Sequence, residues 1–131
     1  MVLDTNAYSA LVLGVQPMVE LVKDVFELKL PLPVIAELRY GFAKGGRPKY
    51  NEQILQKFLA QPQVSIITPT LKTTEYYSEL QLVCSQRAKA LSQNDIWIAA
   101  LAREVNDTLV TFDKDFAVFS NVFDNKLTIL E

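Results

Sequence analysis

The sequence predicts an α/β protein, a three-layer α/β/α sandwich with a parallel sheet of four or five strands. Three observations carry this. Short apolar runs that end at Asp or Pro recur along the chain and read as buried strands. Stretches with helical spacing separate them, and strands alternating with helices imply a parallel sheet covered on both faces. The 131 residues, 50% of them hydrophobic, suffice for one real core. We therefore expect a single domain over residues 1–131.

The elements follow in order. Met1–Leu3 is a short apolar run ending at Asp4 and reads as a strand. Thr5 or Asn6 can cap a helix to about Leu13, which Gly14 ends. Pro17 opens a second helix with Met18, Leu21, Val22 and Val25 on one face. Glu27–Leu32 is a weaker strand, and Pro33 starts a helix to about Phe42. Gly45 and Gly46 break the chain before a helix from Pro48 to about Leu59. Val64–Ile67 is a strand between Pro62 and Pro69, followed by a long helix from about Leu71 to Leu91. Asn94–Val105 is apolar on most sides, the mark of a helix buried mid-domain. Thr108–Phe112 and Leu127–Leu130 are the last strands.

Composition excludes much chemistry. The chain has no histidine and one cysteine, Cys84. That rules out a Ser-His-Asp triad, a Cys-His pair, an imidazole acid or base, an intrachain disulfide and a His- or Cys-held zinc. Catalysis must then rest on carboxylates, lysines, hydroxyls or an oxygen-bound metal, for which Mg²⁺ or Mn²⁺ fits best. The net charge of −2 argues against a uniformly basic nucleic-acid coat but leaves room for a local basic patch. No apolar run is long enough for a membrane span, and no signal-like segment opens the chain, so we expect a soluble, cytoplasmic protein without a membrane partner.

Four carboxylates stand out. Asp4 and Asp113 each follow an apolar strand, so in a parallel sheet both lie at one edge, where such folds bind ligands. Asp95 sits at the start of the buried helix. Measured from Val34 at 100° per residue, Glu37 falls about 60° from the inward direction, with Gly41 leaving space one turn on. Each also has a purely structural reading: Asp4 as a cap or turn residue, Asp95 as partner to Ser92 in a capping box, Asp113 and Asp115 as a solvated turn around Lys114, and Glu37 as a surface residue. Converged on one pocket, they would repel by roughly 4 kcal/mol per pair at about 4 Å. A hard divalent cation relieves that repulsion and can activate water against a phosphodiester.

The chain resembles PIN-domain nucleases, specifically VapC-type toxins of toxin–antitoxin systems. The resemblance rests on Leu3-Asp4-Thr5-Asn6, Ala36-Glu37-Leu38-Arg39-Tyr40-Gly41, Asn94-Asp95-Ile96-Trp97-Ile98-Ala99-Ala100 and Leu109-Val110-Thr111-Phe112-Asp113-Lys114-Asp115-Phe116, in that order. It implies a Mg²⁺- or Mn²⁺-dependent endoribonuclease that cleaves structured RNA, tRNA or rRNA, by metal-activated water. Asp4, Glu37, Asp95 and Asp113 match the family's acidic quartet, with Asp4 and Asp95 as the most direct metal ligands and Glu37 and Asp113 acting directly or through water. Thr5, Asn6 and Thr111 match polar residues around the quartet, with Asn94 fixing the helix start and Asp115 ordering its turn. The resemblance further implies a cognate antitoxin, a homodimer, and contact with DNA only through the antitoxin. The three residues before Asp4 make a first strand shorter than in many members.

Other residues have weaker readings. Arg39, Lys44, Arg47 and Lys49 are candidate contacts to RNA phosphates, against an ordinary solvated loop. Arg87 and Lys89 close the long helix and can complement its dipole. Tyr8, Trp97 and Cys84 read as core. Two alternatives stay within the family: a nuclease of RNA maturation or decay without an antitoxin, and a non-catalytic binding domain. A receiver domain wants an acidic pair after strand 1 and a mid-chain Asp, and the chain has neither. An Asp-x-Asp-x-Thr phosphatase is disfavoured because Asn6 holds the second Asp position.

Overall fold

A computed structural model describes residues 1–131. Five strands, β1 (Val2–Leu3), β2 (Leu28–Pro31), β3 (Val64–Ile67), β4 (Leu109–Thr111) and β5 (Leu127–Ile129), form one sheet in the order β3-β2-β1-β4-β5. Every pairing is parallel. The seven α-helices are α1 (Thr5–Val12), α2 (Gln16–Val22), α3 (Leu32–Lys44), α4 (Pro48–Leu59), α5 (Leu71–Gln86), α6 (Gln93–Val105) and α7 (Ser120–Phe123). The chain steps from β1 outward to β3, then crosses back to β4 and on to β5. Right-handed crossovers therefore place α1 to α4 on one face and α5 to α7 on the other. The order reverses between β1 and β4, and an open parallel sheet has its crevice at that reversal, outside the strands' carboxyl ends.

The core lies on both sides of the central strands. Val2, Leu3, Leu109 and Val110 are fully buried, as expected for strands covered on both faces. In α6, Ile96, Ile98, Ala99, Ala100, Leu101 and Ala102 are all buried, so this helix is enclosed as its apolar circumference requires. Tyr8 and Cys84 are also in the core. No helix is long and apolar enough to cross a membrane.

Three readings need correction. Asp4, not Thr5 or Asn6, caps α1: its side chain accepts from Ala7 N–H. The long helix stops at Gln86, not Leu91, because the chain turns at Ala88, which holds a positive φ of 51°. Residues 114–123 are helical where no element was expected. Asp113 caps a 3₁₀ helix, Lys114–Phe119, that runs into α7, and Phe116, Phe119 and Phe123 turn inward at helical spacing.

Candidate active site

The polar turns after β1 and β4 are tied to each other. Asp4 leaves β1 with its N–H donating to Val110 C=O at 3.2 Å, which sets the two strand ends side by side. Its Oδ1 accepts from Ala7 N–H at 2.9 Å, and its Oδ2 accepts from the Thr111 hydroxyl. Thr111, fully buried, also accepts from Asp113 N–H at 2.9 Å, so one hydroxyl spans the two aspartates. Asn6 Oδ1 accepts from Phe112 N–H at 3.0 Å, closing the same junction from the α1 side. Asp113 Oδ1 accepts from Asp115 N–H at 2.9 Å, while the Asp115 carboxylate takes Lys89 Nζ at 2.6 Å.

The other two acids arrive from helices. A helix leading into a parallel strand begins at the carboxyl edge, so α6 presents its first turn beside Asp4 and Asp113. The Ser92 hydroxyl caps it, accepting from Asp95 N–H at 3.1 Å. Asn94 Nδ2 reaches across to α3, donating to Glu37 Oε1 at 2.6 Å and to Pro33 C=O at 3.3 Å. Glu37 is solvent-exposed and stands at the mouth of the site, on the side of α3 that its angle indicated.

All four carboxylates line one open pocket of about 510 Å³, together with Thr5, Asn6, Ser9 and Ser92. Its lining holds no hydrophobic and no basic residue. Ser9 was not singled out from the sequence and Ser92 only as a cap; the signal for Ser9 is its place one turn beyond Thr5 on α1. Asp4, Glu37, Asp95 and Asp113 take no part in the chain's ion pairs. The charge is felt. Burial raises the Asp4 carboxyl to about 6 against the bonds from Thr111 and Ala7, with Asp95 and Asp113 adding repulsion. Asp95 is raised by burial first, opposed by Ser92, and then by Glu37 and Asp113.

The residues are not drawn into a ready-made cage: no group of three His, Cys, Asp or Glu side chains is gathered tightly enough to hold an ion. The donor set nevertheless fits a hard divalent cation. Four carboxylates from four separate elements, with hydroxyl and amide groups around them, face it with no cationic side chain to neutralise them.

The basic residues scatter. Arg39 is paired with Glu52 through two nitrogens, at 3.1 and 3.0 Å. Arg47 lies over the Tyr50 ring, 3.9 Å from its centroid. Lys44 borders the depression next to the acidic pocket, and Lys49 is exposed at the start of α4. Trp97 is half-buried and packs on Tyr77 at 4.7 Å.

A model of the PIN domain matches residues 1–122. The chain belongs to the PIN domain family. A Ribonuclease VapC2 of Rickettsia felis is 37% identical to this PIN domain over 90 residues, 68% of this chain and 66% of that protein. A Ribonuclease VapC2 of Haemophilus influenzae is 31% identical over 77 residues, 59% of this chain and 57% of that protein. These matched stretches span 66% or less of the relatives' own length. Among solved structures, VapBC2 from Rickettsia felis bound to a DNA fragment from their promoter shares 31% identity at a TM-score of 0.77, covering 99% of this chain and 96% of that one. VapBC-1 from nontypeable Haemophilus influenzae, at 19% identity and a TM-score of 0.79 over 98% of this chain and 96% of that one, shares the fold.

Proposed function

We propose that this PIN domain, residues 1–131, is a Mg²⁺- or Mn²⁺-dependent endoribonuclease and the toxin of a toxin–antitoxin pair, acting in the cytoplasm on structured RNA such as tRNA or rRNA. One observation carries the reading: four carboxylates without cationic partners converge from β1, α3, α6 and β4 on a single polar pocket. The likeness to Ribonuclease VapC2 proteins supports RNA as the substrate. The likeness to a VapBC complex supports an antitoxin partner, with promoter DNA reached through that partner, and a homodimer remains part of the proposal.

Asp4, Asp95 and Asp113 would hold the cation, which when bound supplies the positive charge that acidifies water and offsets charge on a phosphoryl oxygen. The chain's own residues do the rest. Asp4 is fixed through both oxygens, by Ala7 N–H and by Thr111, so its direction does not depend on the ligand. Asn94 occupies Oε1 of Glu37, leaving Oε2 free to accept the proton of the attacking water. Asp115 N–H likewise occupies Oδ1 of Asp113 and leaves Oδ2 available. The new bond joins water oxygen to phosphorus, the bond from phosphorus to the leaving ribose oxygen breaks, and that oxygen takes a proton from solvent.

Induced expression in a bacterium tests this, comparing wild type with Asp95→Asn and mapping new 5′ ends in cellular RNA. Growth arrest with discrete new ends in wild type alone is expected. Arrest by both proteins alike would remove the carboxylate pocket as the source of toxicity.

A further inference from the structure

The acidic pocket continues past Glu37. A second depression, of about 470 Å³, shares Thr5, Ser9 and Glu37 with it and is bounded beyond them by Tyr40, Gly41 and Lys44 of α3. Three features point to a ligand there. Tyr40 is 64% exposed, an aromatic ring left in solvent. Lys44 stands one helical turn on, its Nζ 4.4 Å from the centre of that ring. A Cβ added at Gly41 would meet nothing within 4 Å, so the glycine leaves the floor between them open.

The neighbouring cations are engaged elsewhere: Arg39 on Glu52 and Arg47 on the Tyr50 ring. Lys44 is the basic residue of this depression, and Glu37, shared with the first pocket, is its one acid. A positive charge and an open aromatic ring beside a phosphodiester-cutting centre match the two halves of a nucleotide, phosphate and base. Resting on the nuclease reading above, we propose that the Tyr40–Gly41–Lys44 shelf holds the nucleotide next to the phosphate being cut. Lys44 pairs with that nucleotide's phosphate, and Tyr40 stacks on its base through the ring face that Lys44 does not cover. Stacking accepts every base, so the shelf positions the strand, and sequence choice arises elsewhere.

The test is binding of a fluorescent single-stranded RNA oligonucleotide to the full chain in Ca²⁺, with the RNA checked intact on a gel, beside cleavage of the same RNA in Mn²⁺. Tyr40→Ala should weaken binding between about fivefold and about a hundredfold, the range for losing one stacked base, and Tyr40→Phe should restore it. Lys44→Ala should reduce the slope of log affinity against log salt by about 0.7, one single-strand phosphate contact. Lys57→Ala on exposed α4 should change neither. Wild-type affinity and salt slope in both Tyr40→Ala and Lys44→Ala would overturn the shelf, as would a wild type that binds no RNA. The two readings fail separately: cleavage with an inert shelf leaves the nuclease standing, and Tyr40-dependent binding without cleavage leaves the shelf standing.

Discussion

Asp4→Asn isolates the cost of keeping an ionised carboxylate at the bottom of the site. Asp4 is 4% exposed, and burial lifts its pKa from 3.8 to about 6. A folded pKa above the unfolded one means that folding favours the protonated acid. The stability it contributes is complete below about pH 4 and is lost as pH rises through 6. A carboxyl raised from 3.8 to about 6 forfeits about 3 kcal/mol by about pH 7.5. Asparagine keeps an acceptor for Ala7 N–H but carries no charge to desolvate. The charge-assisted share of the Thr111 bond exists only when Asp4 is ionised, and it already holds the pKa down to about 6 against the burial. The variant's stability relative to wild type should therefore rise by about 2–3 kcal/mol between about pH 4 and pH 7.5 without divalent cation. Urea denaturation at the two pH values, read by circular dichroism, measures this. An equal difference at both pH values would refute it, because Asp4 would then ionise as freely in the fold as out of it.

Three further outcomes follow from the same geometry. Thr111→Val removes the buried hydroxyl that joins Asp4 to Asp113 N–H, and should cost about 1.5–3 kcal/mol of unfolding free energy by thermal melting at pH 7. Gly41→Ala, on a helical backbone with open space around the new methyl, should raise stability by about 0.5–1 kcal/mol in the same melts. Lys89→Ala breaks a well-exposed ion pair with Asp115 and should change stability by less than about 1 kcal/mol, with any effect fading at high salt.

The strand ends were readable because β1 and β4 are short apolar runs that stop at a polar turn, and parallel pairing forces their ends to one edge. Glu37 and Asp95 followed from helix geometry: the angle around α3, and the first turn of a helix that leads into β4. What escaped the sequence depends on partners far along the chain. Arg39 could be marked as basic, but its pairing with Glu52 arises only when α4 folds back along α3. The junction in which Thr111 spans two aspartates joins residues 107 apart and leaves no local trace. The helical turns after Asp113 hid behind a charged Asp-Lys-Asp stretch that resembles a loop, and only the inward Phe116, Phe119 and Phe123 betray them. The long helix ran past its true end because nothing from Arg87 to Leu91 breaks a helix locally; the left-handed turn at Ala88 has no glycine to announce it.

The carboxylate pocket is best tested with purified protein and total RNA, with Mg²⁺, with Mn²⁺ and with EDTA, for wild type and for Asp4→Asn, Glu37→Gln, Asp95→Asn and Asp113→Asn singly. Wild type should cut at discrete sites with either cation and not at all in EDTA. Each variant should lose at least about a hundredfold in rate, the scale on which one charged group at such a centre acts. Cleavage in EDTA, or full activity in the Asp95→Asn protein, would contradict a metal-dependent carboxylate nuclease.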